Sequence, residues 1–223
     1  RSLVSYNNLN VKLAGAYGGL SDFADGASHQ SVCDLSVMRA MPNMTVLVPS
    51  DIDTARGAVK AMLDHKGPVY LRLSREPGGS YHGGDHAFEI GKARVLREGN
   101  DVTIAVTGIL LAQVLEAAEE LDKAGINASV VEFATLKPFD AETLLSCARK
   151  TGAVITVEEN TVLGGLGGAA AEVLGENYPV IMKRIGLNDT FGQSAVSYRD
   201  LLNWYGLTAK RIYDTAKEVV KLK

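Results

Sequence analysis

The sequence has little of what would mark several kinds of protein. It holds two cysteines in 223 residues, Cys33 and Cys147, with no Cys-x-x-Cys or Cys/His ligand spacing. That excludes a disulfide scaffold and fits a reduced, cytoplasmic setting. No apolar run approaches the ~20 residues of a membrane span, and no signal-peptide pattern opens the chain. A basic excess is missing as well. The net charge is −3, with basic residues scattered rather than blocked. Neither nucleic acid nor a membrane is expected as a partner. There is no repeat at the ~20–50-residue periods of solenoids and no low-complexity tract. An initiating Met is also missing. The chain opens on Arg1-Ser2-Leu3-Val4, close to an apolar strand pattern. Either the N-terminus is processed or the sequence starts part-way through a domain.

What is present is ordinary globular composition, 46% hydrophobic and 22% charged. A chain this long buries a core without metal or disulfide staples. Its patterns alternate. Residues 9–16 read as a buried strand and 30–41 as a short helix with Val32, Leu35 and Met38 on one face. A strand over 45–48 leads to Ser50 as an N-cap. The helix that follows carries Ala55, Val59, Met62 and Leu63 to about Asp64, and a strand spans 69–73. The run Pro77–Asp85 holds four glycines and one proline in nine residues, which marks a linker or boundary. Beyond it, strands at 102–106, 128–133, 153–157 and 180–185 alternate with helices at 110–124, 140–150, 165–174, 197–205 and 208–222. Lys217, Lys221 and Lys223 suit the negative end of that last helix. Strands separated by helices predict a parallel-rich α/β sandwich.

The densest polar constellation is Asp25, Ser28, His29 and Gln30, placed after a strand and before a helix. Ligands of open α/β sheets bind beyond the carboxyl ends of strands. A neutral His29 near a helix N-terminus donates one hydrogen bond and accepts another, which suits work at a carbonyl or hydroxyl. On composition alone a second reading stands: Asp25 and Ser28 cap the helix and His29 is a turn residue. The Gly164–Gly168 run lacks the spacing of a phosphate or dinucleotide loop and reads as close packing of a small-residue helix. Glu158 and Glu159 at a strand end are an acid/base pair or a structural or subunit contact. His82 and His86 in the linker have no acidic or cysteine partner set in sequence, so no metal site is expected. Nothing near Cys33 in sequence would lower its pKa, so it reads as a small helix residue.

Asp25-Gly26-Ala27-Ser28-His29-Gln30, then Asp34-Leu35, Met38-Arg39 and Pro42-Asn43-Met44, resembles the transketolase family. Val48-Pro49-Ser50-Asp51, Gly67-Pro68-Val69-Tyr70 and Leu71-Arg72-Leu73-Ser74-Arg75 agree with it. So do Glu158-Glu159-Asn160, Gly164-Gly165-Leu166-Gly167 and Gly186-Leu187-Asn188-Asp189 through Phe191-Gly192. The likeness spans essentially the whole chain.

The resemblance implies two three-layer α/β/α domains with parallel-rich sheets. An incomplete pyrimidine-binding domain (1–80) and a linker (81–87) precede a transketolase C-terminal domain (88–223). It implies transfer of a two-carbon ketol unit from a ketose to an aldose, with thiamine diphosphate as the electron sink. His29 matches the histidine that contacts substrate oxygens near the reacting carbon. Asp25 matches the aspartate that reads a substrate hydroxyl, and Arg75 the arginine that clamps the sugar phosphate. Tyr17 stands near where many transketolases place a further histidine that helps hold the phosphate. Cys33 replaces the first member of an acidic pair, and Asp34 keeps the second. The glutamate that activates the aminopyrimidine, and the aromatics that stack on it, match no segment from Arg1 onward. The diphosphate and its Mg²⁺ or Ca²⁺ belong to another domain of the family.

The implied picture is a B-type subunit or section, inactive until a partner supplies the diphosphate-binding fold in a homodimer or α2β2-type assembly. Sugars or sugar phosphates are the expected substrates. A deoxyxylulose-phosphate synthase, the β chain of a 2-oxo-acid dehydrogenase and a non-catalytic assembly module are the alternatives.

Overall fold

The computed structural model describes residues 1–83 and 88–223. The first lobe places β1 (Lys12–Gly15), α1 (Asp34–Ala40), β2 (Thr45–Leu47), α2 (Ile52–Asp64) and β3 (Val69–Arg72) in chain order. The second contains β4 (Arg94–Arg97), β5 (Val102–Val106), α3 (Leu111–Lys123), β6 (Ala128–Glu132), β7 (Thr135–Lys137), α4 (Ala141–Thr151) and β8 (Ala153–Thr161). It continues with α5 (Leu166–Asn177), β9 (Ile181–Leu187), α6 (Tyr198–Tyr205) and α7 (Ala209–Lys221). This is the α/β architecture with parallel-rich sheets that the alternating pattern predicts.

The five-stranded sheet runs β4-β6-β5-β8-β9, and β5, β6, β8 and β9 are parallel. β5 is buried along its whole length because helices cover both faces of a parallel sheet. One core joins the sheet to α3, α6 and α7 through Leu111, Leu121, Leu201, Ile212 and Val219. The other face meets α4 and α5 in a core that also takes in Leu35, Val46 and Tyr70 of the first lobe. The helix ends follow local chemistry. The Asp140, Ser197 and Thr208 side chains accept N–H bonds at the starts of α4, α6 and α7. Gly152 and Gly206 close α4 and α6 in the left-handed conformation.

The four-stranded sheet runs β1-β3-β2-β7. β1 and β2 flank β3 in parallel, whereas β7 belongs to the second lobe and pairs antiparallel with β2. The two lobes therefore share hydrogen bonds as well as a core. α2 covers the far face with Ala58 and Met62 against Leu47, Val69 and Leu71.

Four local expectations change. Strand β1 is shorter than 9–16 and half exposed, because it forms the sheet edge. α1 begins at Asp34, not Gln30. The carbonyls of Ser31 and Val32 accept from Gly19 and Thr161 N–H groups and cannot join a helix. Cys33 consequently caps α1 from an exposed position. Asp51, not Ser50, caps α2, in a reciprocal box with Thr54. Val59 and Leu63 lie on the exposed side of that helix.

Candidate active site

β1 and β3 run parallel, so the segments that leave them emerge at the same end of the sheet. The segment after β1 carries Tyr17 through Ser31, and the one after β3 carries Arg75. Sequence-distant residues of the expected site are thereby brought to one edge.

The base of the segment is fastened first. Gly18 N–H donates to Leu73 O at 2.9 Å, and Gly19 N–H to Ser31 O at 2.7 Å. Side chains could not replace these glycines. A Cβ at Gly18 would overlap the Arg72 side chain, and one at Gly19 would overlap the Glu159 carboxylate. Those two residues fill the space beneath. Arg72 is buried in β3; its Nη2 donates to Glu159 O at 2.8 Å and Ser31 O at 3.3 Å. Its Nε lies 3.2 Å from Asp34 Oδ2, which also accepts from the Tyr70 hydroxyl at 2.7 Å. The Glu159 carboxylate accepts from Leu20 N–H at 2.9 Å. Burial pushes Glu159 up to about 6, opposed by the nearby Arg72 charge.

Above this base, Gly26–Ser28 forms a single 3₁₀ turn, closed by His29 N–H on Gly26 O at 2.9 Å. Asp25, Ser28 and His29 are exposed, while Gln30 is buried. Ser28 Oγ and His29 Nδ1 lie 2.9 Å apart. That contact occupies Nδ1 and leaves Nε2, on the far side of the ring, outside it. The helix-terminus account of His29 does not hold, since α1 starts only at Asp34. Nor does Asp25 cap with its side chain.

Arg75 is fixed to the same segment. Its N–H donates to Ser21 Oγ at 2.9 Å, and its Nη1 meets Asp22 Oδ1 at 2.5 Å. Its guanidinium sits 5.2 Å from the centroid of the Tyr17 ring. A cleft of about 480 Å³ beside it is bordered by Ser50, Asp51, Ser74, Glu76 and Ile109.

Several of these groups carried weak sequence signals. Arg72 interrupts an apolar strand, which is the mark of a buried, paired charge. Asp22 had none. Glu158 and Glu159 are structural and buried inside the chain; Glu158 accepts from Leu166 and Gly167 N–H at 2.8 and 2.7 Å. His82 also departs from its expected place in a loose linker. It is buried between Asp51 Oδ2 and Glu132 Oε2, each at 2.7 Å, acids 31 and 50 residues away in sequence. His86 lies outside the described residues.

Among the described residues, no three His, Cys, Asp or Glu side chains are grouped to hold a metal ion. No described helix is long and apolar enough to cross a membrane.

The pyrimidine-binding domain of transketolase matches residues 1–79, and the transketolase C-terminal domain matches 91–212. The chain is 48% identical to a 6-deoxy-6-sulfo-D-fructose transketolase subunit of Clostridium sp. (strain MSTE9), over 99% of its own length and 68% of that protein's. It is 37% identical to one subunit of the apulose-4-phosphate transketolase of Phocaeicola vulgatus, over 98% and 70% of the two chains. A solved split-gene transketolase, described as an inactive β4 tetramer, superposes with a TM-score of 0.93. That match has 45% identity and covers 100% of this chain and 71% of the other. With the parallel two-lobed fold and both domain matches in register along the sequence, the chain belongs to the transketolase family.

Proposed function

We propose that this chain is the substrate-facing component of a split transketolase. It works with a subunit carrying the diphosphate-binding fold, in a homodimer or α2β2-type cytoplasmic assembly. The reaction is transfer of a two-carbon ketol unit from a ketose to an aldose, dependent on thiamine diphosphate. In this reading residues 1–80 face the aminopyrimidine, 81–87 connect, and 88–223 form the C-terminal domain. Mg²⁺ or Ca²⁺ and the diphosphate are held by the partner.

The observation that carries the reading is an exposed Asp25–His29 turn standing on a rigid buried base. The Asp25 and His29 side chains are exposed, where a second protein and substrate can reach them, yet their segment is hydrogen-bonded from beneath. His29 orients and hydrogen-bonds substrate oxygens near the reacting carbon, and Asp25 accepts from a substrate hydroxyl. Arg75 anchors the far end of the sugar. The relatives' names point to sugars with an anionic terminus, one a sulfonate and one a phosphate.

The protein is expected to be inactive alone and to gain ketol transfer when combined with its partner, thiamine diphosphate and Mg²⁺. His29→Ala should lower kcat/KM in that assembly at least tenfold, ~1.4 kcal/mol. Unchanged activity in the variant would remove His29 from the site.

A further inference from the structure

We propose that Asp22 and Tyr17 set the charge of the substrate terminus at Arg75. The site then favours a sugar ending in a single negative charge, such as a sulfonate, over one ending in a phosphate dianion. The inference rests on the reading of Arg75 as the anchor of the substrate's far end.

The charge balance of the site is the first ground. Arg75 is half exposed, but its Nη1 is committed at 2.5 Å to an Asp22 side chain that is only 2% exposed. Water does not screen a carboxylate at such a depth, so the pair approaches neutrality as seen by an incoming anion. Nε and Nη2 of the guanidinium remain as donors, a fork suited to one anionic group. A phosphate monoester brings a charge of about −1.5 to −2 at neutral pH, and a sulfonate brings one. The adjoining cleft adds Glu76, while the Asp51 carboxylate on its wall is buried against His82, and Arg75 is the sole cation among the described lining residues. The second charge of a phosphate finds no counter-charge there.

Tyr17 is the second ground. Its ring packs under the guanidinium and fixes the plane of the fork. Its phenol offers a hydrogen bond and no positive charge. Its backbone has φ +61°, a conformation uncommon for an aromatic residue. Such an outlier next to a binding group points to a functional constraint on where the ring sits. A histidine fits the same backbone more readily and can carry a proton, so Tyr17→His converts the site toward dianion binding.

The test uses the assembled holoenzyme with fructose 6-phosphate, 6-deoxy-6-sulfofructose and fructose as ketol donors. The sulfonate should give a kcat/KM several-fold above the phosphate. Tyr17→His and Asp22→Asn should each move the phosphate-to-sulfonate ratio at least fivefold toward phosphate. A wild-type preference for phosphate, or a ratio unmoved in both variants, overturns the inference while leaving ketol transfer intact. Calorimetric binding of the same three sugars separates the other failure. Charge discrimination in binding without turnover supports the charge rule and removes the ketol-transfer reading. Asp22→Asn also loosens a buried contact of the segment, so Tyr17→His, whose side chain is surface-exposed, is the deciding variant.

Discussion

The side-chain amide of Gln30 donates to the main-chain oxygen of Gln193 at 3.1 Å, across 163 residues of sequence. The same nitrogen donates to Asp22 O at 3.0 Å, and Ala195 N–H donates to Phe23 O at 2.8 Å. The second lobe thus holds the candidate site from one side while Arg72 and Glu159 hold it from beneath. Exposed side chains on a backbone hydrogen-bonded from two sides are what an orienting site needs.

The closeness of that clasp is testable at Gly192. A Cβ there would overlap Gln30 Oε1. Gly192→Ala should displace Gln30, break its bond to Gln193 and shift the Asp25–His29 turn. Overpacking of this kind costs about 1–3 kcal/mol, read as a lowered urea midpoint. In the assembled enzyme kcat/KM should fall about tenfold, ~1.4 kcal/mol. A variant that is destabilised yet keeps full kcat/KM would separate the clasp from the site.

Arg72 should be among the costliest single positions. Arg72→Ala strips the partner from Asp34 and the donor from the Ser31 and Glu159 carbonyls, all in a buried setting. Removing one member of such a group costs about 3–5 kcal/mol. Arg72→Met should lose less than Arg72→Ala, because it refills the volume. Equilibrium unfolding in guanidinium measures both, and a loss below ~1 kcal/mol for Arg72→Ala would mean the network contributes little.

Much of this fold is legible in the sequence because its signals are local. The caps Asp140, Ser197 and Thr208 sit beside the helices they start, and the run of apolar residues at Val102–Val106 needs no partner to be recognised. What is not legible depends on distant partners. Strand β7 has three residues and exists because β2 is there to pair with it. Arg94–Arg97 is flanked by charges and becomes a strand only as an edge against β6. α1 starts late because the Ser31 and Val32 carbonyls are taken by Gly19 and Thr161. For the site, His29, Asp25 and Arg75 stand out through their motif, whereas Asp22 and Gln30 matter through contacts that no spacing rule reveals.

His82 should make stability depend on pH. Burial alone lowers its pKa, but hydrogen bonds to Glu132 and Asp51 outweigh that and raise it above 6.5. A raised histidine contributes fully below 6.5 and fades as pH climbs through the folded-state value. Asp51 has the opposite sign. Burial raises its pKa, yet Thr54, Tyr81 and His82 hydrogen bonds bring it to about 2. Its contribution is present above 3.8 and lost as pH falls toward 2. The clamp is therefore strongest from about pH 4 to 6.5. His82→Gln keeps a donor toward one of the two carboxylates without the charge. Its Tm deficit should be larger at pH 5.5 than at pH 8.5, and equal deficits at the two values would show that no proton is involved.

Glu158 extends the same trend by another route. Its carboxylate is fully buried at the start of α5, and burial pushes its pKa from 4.5 to about 7 despite the Gly167 and Leu166 N–H bonds and the charges of Arg72 and Arg184. An acid raised in the folded state favours the fold fully below 4.5, where both states are protonated. As pH rises from 4.5 to about 7 the unfolded chain is ionised while the folded one keeps its proton, and by about 7 the fold has lost on the order of 3 kcal/mol. Glu159, raised to about 6, acts with the same sign. Glu158→Gln cannot ionise. It keeps one acceptor oxygen for the two amides, so the other amide goes unsatisfied at a cost of about 1 kcal/mol or more. The variant should be clearly less stable than the wild type at pH 5, and the gap should close or invert by pH 8. Guanidinium unfolding at pH 5, 6, 7 and 8 reads this directly. Parallel profiles for the two proteins would mean that Glu158 keeps its ordinary pKa, held down by the α5 amides against the pull of burial.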